Sequence, residues 1–534
     1  MRRLLTCLIV LMPAAAGVLQ TCAQGLQNVP VQTSPTKQTD SAITTLHTFV
    51  NLVNVDVVVK DKDGRPIYGL KPSDFVLTEN KVQQTIKNFE EHTSGEVGGG
   101  GAMPVLPAGV FTNYAPAPAK GPLNMLLFDK LNTGLPDQAN LRLQMLKFIN
   151  QAKLGTRMAV LDLGFQLRVL QGFTDDREVL REAIRDKNAP ALAVLVPDKT
   201  GCIHSYVMLS TMHFLALYLG NLPGRKNLLW YSDSLPFNMF PDKDKNCPSA
   251  EEYRRAVDKL IANQVSIYPI GVSGWLGESA DEMALETGGL SFRNPNALDE
   301  ETAEAMEDGS SYYTLAYAPL DARWNNAYRN IEVTLANGQT AELSYRRGYY
   351  ANDPNKPVKT AIFGRGQLPG KEPRPDAMHM AMMLGVPPAS EISFATRVLP
   401  AGSAKESSLA AGNEGSKGLK GPYQRYGLHL AVDPRTLLFT ESADGVRHGS
   451  LEFVAFVYDM SGNVVNSMGR TAKVDLKLAV YESTMRDGLP LELEVSVPAK
   501  GEYTLRIAVH DLNNDRVGAI EVPVSSVRNL AAAK

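Results

Sequence analysis

Hydrophobic and polar positions change abruptly along residues 124–133, and this change predicts the centre of one domain. An apolar run at 124–128 is followed directly by Asp129 and a polar turn that ends at Thr133. A short apolar run before a polar loop and a helical pattern is typical of a strand buried on both faces. Ligands of open α/β sheets bind at the carboxyl ends of such strands, so we expect Asp129 to lie near whatever the domain binds.

The alternation of strand and helix patterns continues through residues 122–308. Strands are predicted at 124–128, 157–163, 166–170, 227–231, 266–272 and 290–292, and helices behind Pro136 and at 176–185, 204–219, 251–264 and 278–286. The fourth of these strands again ends in an acid, Asp233. Such alternation predicts a doubly wound, mostly parallel sheet that is covered by helices on both faces.

Residues outside this region predict β structure. The alternating segments 49–91 and 309–350 are each too short to enclose a core, so we expect them to join into one β-sandwich with the α/β domain inserted in it or flanked by it. Seven short strands with intervening turn signals at 390–526 favour an immunoglobulin-like sandwich. Residues 92–121 and 351–389 are predicted linkers, and the Met-rich patch at 378–384 is expected to pack on a neighbouring domain.

Composition and motifs narrow the classes of function. The 534 residues carry 54 Lys and Arg against 57 Asp and Glu, a formal charge of -3, which gives no electrostatic reason to expect nucleic acid as a partner. The sequence contains no HExxH, GxSxG or P-loop motif. We therefore expect a protein that is not an enzyme, with a hydrolase whose residues converge only in three dimensions as the open alternative.

The amino terminus predicts export. Residues 1–3 are a basic start, 4–19 form an apolar stretch, and Ala23 is the small residue at which a signal peptidase cleaves. Cleavage before Cys22, as in a lipoprotein, is an alternative. A disordered lead is expected at 24–48, and no later run is long enough to span a bilayer, so we expect a secreted or periplasmic protein.

Two cysteines remain after signal cleavage. Cys202 and Cys247 form an even pair that flanks the apolar segment 209–229. Because the exported compartment is oxidising, we expect a disulfide between them, with two free buried thiols as the alternative.

Several segments together resemble a known family. They are SDFVLTEN, FDKLNT, LRVLQGFT, GRKNLLWYSDSLP, ETGG, SYYTLAYAP and RRGYY, which lie between residues 50 and 350. With the order of elements and the strand-end acids, they resemble the von Willebrand factor type A domain, and more narrowly the type A-related family described from Acidobacteria.

This resemblance implies a divalent-cation site for Mg²⁺, or for Mn²⁺ or Ca²⁺, that a partner's acidic group completes. The matching ligand positions are Asp129, Thr133, Thr200 and Asp233. Leu131 departs from the family pattern, because an isobutyl group replaces a ligating hydroxyl and removes one oxygen from the set that Mg²⁺ prefers. Asn132, Ser232, Ser234 or water are the candidates to replace it.

Two interpretations of these acids stay open. In one, a degenerate cation site engages a protein or cell-surface ligand. In the other, Asp129 and Asp233 cap helix amino termini and bond the loops without a metal, and the top of the sheet stays the expected binding surface. The alternative function is a structural or scaffold protein of the cell envelope with a vestigial metal site, whose sandwiches make the contacts.

Overall fold

The computed structural model describes residues 52–93, 106–114, 122–185, 203–220, 222, 224–235, 248–336, 340–351 and 377–531. The predictions of a signal peptide, of a disordered lead and of a Cys202–Cys247 disulfide lie outside these residues, as does Thr200. None of the helices in the described part of the chain has the length and apolar character needed to cross a membrane.

Short strands precede the α/β region. They are β1 (Val53–Lys60), β2 (Phe75–Glu79), β3 (Val82–Gln83), β4 (Ile86–His92) and β5 (Val110–Thr112).

The α/β region alternates strands and helices. Its strands are β6 (Leu123–Asp129), β7 (Met158–Leu163), β8 (Leu167–Thr174), β9 (Lys226–Ser232) and β10 (Val265–Gly271). Its helices are α1 (Leu135–Gln151), α2 (Arg177–Arg185), α3 (Ile203–Leu219), α4 (Ala250–Ala262), α5 (Glu278–Thr287) and α6 (Leu298–Asp308).

The remaining elements are mostly strands. After α6 come β11 (Tyr312–Tyr317), β12 (Tyr328–Leu335), β13 (Glu342–Ser344) and β14 (Gly348–Tyr350). The carboxyl-terminal part contains helix α7 (Ala377–Ala381) and strands β15 (Phe394–Pro400), β16 (Asn413–Gly415), β17 (Tyr423–Val432), β18 (Thr440–Glu441), β19 (Arg447–Asp459) and β20 (Val464–Leu476). It ends with helix α8 (Leu478–Asp487) and strands β21 (Leu489–Pro498), β22 (Tyr503–Asp511) and β23 (Arg516–Pro523).

The α/β sheet has the strand order β10-β9-β6-β7-β8. Strands β6, β7, β9 and β10 are parallel, and β8 returns antiparallel to β7 as a hairpin. Every residue of β6, β9 and β10 is buried, because helices cover both faces of the sheet. The predicted mostly parallel, doubly wound sheet is confirmed.

Helix α6 was not predicted. Its Leu298, Ala305 and Met306 are buried in the core on the α1 side of the sheet. The acidic residues between them, in the sequence LDEETAEAMED, obscure this apolar face. The predicted strand at 290–292 is reduced to a single parallel bridge between Phe292 and Ile270.

The two β segments around the α/β region interleave. One sheet has the order β13-β1-β11-β4 and the other β14-β12-β2-β3. Strand β1 pairs antiparallel with β11, and β2 pairs antiparallel with β12. Valines of β1 and tyrosines of β11 share one core with β2 and β12. Each half supplies strands to both sheets, which agrees with an α/β domain inserted into one β-sandwich.

A second sandwich follows. Its sheets have the orders β21-β17-β15-β5 and β16-β20-β19-β22-β23. Strand β5 lies within the predicted linker 92–121 and corrects that prediction, since Ala395–Arg397 pair with Val110–Thr112. The run of Gly and Pro on both sides of Val110 hides this strand in the sequence.

Helix α7 connects this second sandwich to the α/β domain. Met378, Met380 and Met382 are buried in a core that also contains residues of α3, β22 and β23. The fully buried Arg506 donates to the carbonyl oxygens of Ala381 (2.8 Å), Val386 (3.0 Å) and Pro387 (3.2 Å). The prediction that the Met-rich patch packs on a neighbouring domain is confirmed.

Candidate functional site

The sheet brings the two predicted acids to the same edge. Strands β6 and β9 are parallel neighbours, with Phe128 in register with Tyr231. Asp129 ends β6, and Asp233 directly follows β9. Because parallel strands end at a common edge, both carboxylates lie at the carboxyl edge of the sheet, within loops that contact one another.

The Asp129 carboxylate is almost completely enclosed by hydrogen-bond donors, with 1% of the residue exposed. Its Oδ1 accepts from the backbone N–H groups of Leu131 (3.1 Å) and Asn132 (3.0 Å). Its Oδ2 accepts from Asn132 Nδ2 (2.8 Å) and Trp230 Nε1 (3.3 Å), and lies 3.0 Å from Ser232 Oγ. The carboxylate therefore holds the β6–α1 loop against the end of β9.

Burial has the largest influence on the pKa of the Asp129 carboxyl group. Removal from water raises the pKa of Asp129 from 3.8 to about 6, although the hydrogen bonds from Asn132, Ser232 and Trp230 favour the charged form. Asp129 is thus a buried acid that titrates close to neutrality.

Asp233 joins a different pair of loops. Its Oδ2 accepts from the backbone N–H of Gly134 (3.1 Å), and its Oδ1 accepts from the backbone N–H of Ser273 (2.8 Å). Gly134 precedes α1, and Ser273 lies in the loop after β10. Asp233 therefore links the loops that follow β6, β9 and β10.

Thr133 is buried beside Asp129, and Leu131 is buried as well. The Thr133 hydroxyl oxygen has no hydrogen-bond partner among the described residues. It borders a cavity of about 20 Å³ that Asp129, Lys130 and Gln138 also line, a space sufficient for roughly one water molecule. The structure thus brings Asp129, Thr133 and Asp233 together, while Thr200 lies outside the described residues.

The described residues do not fit a preformed cation site. A divalent cation needs ligand oxygens whose lone pairs are free, whereas four N–H groups point at the Asp129 oxygens. The Asp233 oxygens each accept a backbone N–H. Asn132 and Ser232, the residues considered as substitute ligands, direct donors at Asp129 instead. Among the candidate ligands that the structure describes, only the Thr133 hydroxyl has the free acceptor that a metal site requires.

Two further polar side chains at this edge, His204 and Lys130, were not predicted from the sequence to belong to the site. Asn132 Oδ1 lies 2.8 Å from His204 Nδ1, which connects the β6–α1 loop to α3. Lys130 Nζ lies 2.6 Å from the buried Asp162, which also accepts from Arg168. The FDKLNT and LRVLQGFT segments contain Lys130 and Arg168, but only the pairing of β6, β7 and β8 reveals that they share Asp162.

Large apolar side chains are exposed at the same edge. Leu135 at the start of α1 is 52% exposed, Phe165 between β7 and β8 is 37% exposed, and Trp275 after β10 is 63% exposed. Gly274 and Gly277 flank Trp275 with positive φ angles of 88° and 78°. These conformations suit glycine, and they fix the turn that carries the indole.

A Ser-His-Asp arrangement occurs elsewhere, on the second sandwich. His448 Nε2 lies 2.9 Å from Ser442 Oγ, and its Nδ1 lies 2.6 Å from Asp475 Oδ1. The Ser442 hydroxyl also donates to the Asp444 carboxylate, a stronger acceptor than a neutral imidazole. The His448 and Asp475 side chains are 44% and 64% exposed. This open turn does not direct the serine proton to a base, so the geometry favours a surface hydrogen-bond network.

No protein-family model and no curated protein matches the chain. Similar solved structures include the conserved hypothetical protein BatB from Bacteroides thetaiotaomicron, which is 10% identical with a TM-score of 0.26, over 35% of this chain and 97% of that chain. A von Willebrand factor type A protein from Catenulispora acidiphila is 9% identical with a TM-score of 0.26, over 87% of this chain and 78% of its own.

The PilB minor pilin from Streptococcus sanguinis is 13% identical with a TM-score of 0.23, over 36% of this chain and 61% of that chain. Similarities at these identities and TM-scores do not establish a shared family or function. The fold described above rests on the strand order and packing of this chain, and membership of the type A-related family from Acidobacteria stays a prediction from sequence.

Proposed function

We propose that the chain is an exported, non-enzymatic binding protein that engages a protein or cell-surface ligand at the carboxyl edge of its α/β sheet. The observation that carries the proposal is the exposure of Leu135, Phe165 and Trp275 at this edge. Exposed aromatic and aliphatic side chains that share one face mark interaction sites, and tryptophan is prominent among residues that dominate binding energy.

The two acids give this surface a fixed shape. Asp233 joins the loop before α1, which leads to Leu135, to the loop that carries Trp275. Asp129 anchors the first of these loops on β9. Loops fixed before binding lose less conformational entropy when a ligand docks, which favours affinity. Asp129 and Asp233 thus act as positioning residues for the apolar contacts.

A cation-dependent version is the second candidate. It assigns Mg²⁺, Mn²⁺ or Ca²⁺ to Asp129, Thr133, Thr200 and Asp233, with the partner supplying an acidic group. The unpartnered hydroxyl of the buried Thr133 favours it. The donors that surround Asp129 oppose it, because Asn132 would have to release the carboxylate first.

Capture from a cell-envelope extract tests the proposal. The full chain after residue 23 is immobilised, with Trp275→Ala as the edge variant and Leu478→Ala as the matched control, since Leu478 is 60% exposed on the second sandwich. We expect the same captured protein or glycan for the unaltered chain and Leu478→Ala, and its loss for Trp275→Ala. Capture that a chelator abolishes would support the cation-dependent version.

Equal capture by all three chains would contradict an edge site. It would then favour a scaffold protein of the envelope with a vestigial metal site, whose sandwiches make the contacts. The fixed attachment of the second sandwich through Arg506 and α7 is the observation that favours this alternative.

A further inference from the structure

One edge of the larger sheet of the second sandwich is only partly covered by a neighbouring strand. This sheet has the order β16-β20-β19-β22-β23, so β16 lies beside β20. Strand β20 runs from Val464 to Leu476, but β16 pairs only with Asn466–Met468. Within the described part of the chain, residues 469–476 pair with β19 and no backbone hydrogen bond reaches their other side. This free segment of β20 is about 26 Å long, at roughly 3.3 Å per residue.

The other edge of the same sheet is closed by the chain itself. The backbone N–H of Ala519 on β23 donates to the carbonyl oxygen of Ala389 at 2.9 Å, and Ile392 donates to Val517 at 3.3 Å. Ser390 forms a bridge to Gly518 between these two bonds. The two edges therefore differ, and the free segment of β20 is open to a further strand.

The free segment presents backbone donors and acceptors to solvent. Ser450 of β19 lies opposite Lys473, and its carbonyl oxygen accepts from the N–H of Leu512 at 2.9 Å, on the side away from β20. Opposite residues of an antiparallel pair alternate between hydrogen-bonded and non-hydrogen-bonded pairs, and Ser450 with Lys473 is thus a non-hydrogen-bonded pair. The N–H and C=O of Lys473 consequently point to the free side, as do those of Thr471 two residues before it.

Two cations lie along this segment. The Arg470 and Lys473 side chains are exposed, and neither forms an ion pair or hydrogen bond with another residue that the structure describes. Exposed cations on an edge strand disfavour pairing between copies of the same strand, because like charges would meet. They favour a strand that carries acidic side chains.

The acids near the segment already have partners or lie beyond it. Asp475 Oδ1 lies 2.6 Å from His448 Nδ1. Glu452, opposite Thr471, lies 3.3 Å from His510 Nδ1. Glu414 belongs to β16 and lies opposite Ser467, outside the free segment. The positive charge of Arg470 and Lys473 is therefore available to a partner.

The inner side of the segment is apolar. Ala472 and Val474 are half-buried and pack against the core of the second sandwich. Leu489 and Leu491 of β21, the edge strand of the other sheet, are also half-buried at this core. An added strand would direct alternate side chains inward, where apolar groups would cover these residues.

We infer that the free segment of β20 binds an extended acidic segment of a partner protein, which adds to the sheet as an antiparallel strand. Each strand pair of this sheet is antiparallel, which sets the orientation. Main-chain hydrogen bonds supply affinity in such strand addition, and side chains supply selectivity. Acidic side chains lie opposite Arg470 and Lys473, and apolar side chains lie opposite Ala472 and Val474.

A designed peptide tests the inference with the full chain after residue 23. The peptide SVEVTES, labelled with fluorescein, places its glutamates opposite Arg470 and Lys473 and its valines opposite Ala472 and Val474. Fluorescence anisotropy at low salt measures its binding. We expect saturable binding of this peptide and at least tenfold weaker binding of SVKVTKS, in which lysines replace the glutamates.

Backbone methylation of the same peptide tests the strand pairing. N-methylation of the peptide threonine, opposite Thr471, removes an N–H that faces β20, so saturable binding should be lost. N-methylation of the second valine, opposite Ala472, removes an N–H that faces solvent. This matched control should bind as the unmodified peptide does.

Variants of the protein locate the binding. Arg470→Gln and Lys473→Gln should each weaken binding of SVEVTES about threefold, and the double variant about tenfold, because exposed ion pairs are lost. Lys500→Gln, in an exposed turn of the same sandwich, is the matched control and should bind as the unaltered chain does.

Four results would overturn the inference. They are no saturable binding of SVEVTES, equal binding of SVKVTKS, equal effects of the two methylations, and unchanged affinity in the double variant. Trp275→Ala should bind the peptide as the unaltered chain does, because Trp275 lies in the α/β domain. Failure of this inference is therefore distinguishable from failure of the proposed binding site at the carboxyl edge.

Discussion

The two edges of the α/β sheet use buried charge in opposite ways. At the carboxyl edge, Asp129 and Asp233 accept mainly from N–H groups of the domain's own loops. At the amino edge, where the parallel strands begin, charged side chains connect the domain to the first sandwich. Gln264, before β10, donates to Asp56 of β1, at 3.2 Å from Oδ2.

Arg225 is the centre of the amino edge. It is 1% exposed, precedes β9, and donates to the Tyr268 hydroxyl and to the Gly288 carbonyl, both at 2.9 Å. Its guanidinium lies 5.5 Å from the centroid of the Tyr312 ring on β11. Tyr268 in turn donates to Asp308, which forms an ion pair with Lys60 of β1.

The two edges therefore differ in their exposure. The polar groups of the amino edge bond to a second domain and are buried there. At the carboxyl edge, the polar groups form hydrogen bonds among the loops of the α/β domain itself. Leu135, Phe165 and Trp275 are exposed on the outer surface of this edge. The same chemistry of buried charges thus fastens two domains at one edge and shapes the proposed recognition surface at the other.

The largest expected effect comes from breaking the amino edge. Arg225→Met should lower the free energy of unfolding by about 3–5 kcal/mol, because it leaves buried polar partners without their cation. Denaturant unfolding measures this loss. Arg486→Met on the exposed face of α8 is the matched control and should change stability by less than about 0.5 kcal/mol. A loss below about 1 kcal/mol for Arg225→Met would refute a fastening role for this edge.

The contribution of the carboxyl edge to the free energy of unfolding should instead depend on pH. The folded pKa of Asp129 lies above its ordinary value, so the native state holds a proton that the unfolded chain releases. Its contribution to stability is therefore full below pH 3.8 and is lost as the pH rises through about 6. A shift from 3.8 to about 6 corresponds to roughly 3 kcal/mol.

Comparison with Asp129→Asn isolates this effect, since Asp258 has a raised pKa with the same sign. We expect the stability difference between the unaltered chain and Asp129→Asn to shift between pH 4 and 7, with the unaltered chain losing more as the pH rises. Parallel pH profiles would show that Asp129 keeps an ordinary pKa.

At neutral pH, Asp129→Asn should itself lower stability by about 1–3 kcal/mol, because its amide replaces an acceptor with a donor that faces other donors. Asp74→Asn, in a half-exposed turn of the first sandwich, tests the same substitution where water can replace lost bonds. Equal losses in both variants would show that the donors around Asp129 have no special importance.

The sequence predicts the α/β sheet well because its parallel strands are short, mostly apolar and followed by polar turns. It also places Asp129 and Asp233 at one edge, since strand ends in a parallel sheet meet. Helix α6 and strand β5 escape prediction because acidic residues obscure the apolar face of one and Gly and Pro surround the other.

The roles of individual site residues are harder to predict. Asn132 and Ser232 have the right chemistry to ligate a cation, but only the loop geometry shows that they donate to Asp129. The surroundings of Arg225 are likewise invisible in the sequence, because Tyr268, Gly288 and Tyr312 come from separate parts of the chain. Nothing local marks residues that meet only when two domains pack.

Trp275→Ala should separate recognition from stability at the carboxyl edge. The side chain is 63% exposed, so its removal should change the free energy of unfolding by less than about 0.5 kcal/mol while abolishing ligand capture. Thermal unfolding and the capture assay measure the two effects. A large loss of stability would make Trp275 a structural residue and weaken its assignment to a binding surface.

The last substitution, Ser442→Ala, is expected to have no effect on ester hydrolysis. Ser442→Ala should leave the hydrolysis rate of p-nitrophenyl acetate by the full chain at the level of the unaltered protein, because the Ser442 hydroxyl donates to Asp444 and the site is an open turn. A serine-dependent rate that follows the ionisation of His448 would instead reveal an esterase.

The most direct measurement is a calorimetric titration of the unaltered chain and of Asp129→Asn with Mg²⁺, Mn²⁺ and Ca²⁺. We expect no saturable heat from either chain, because N–H donors occupy the Asp129 oxygens and hold the edge together without a cation. Saturable heat in the unaltered chain that disappears in Asp129→Asn would contradict this and establish a metal-dependent edge.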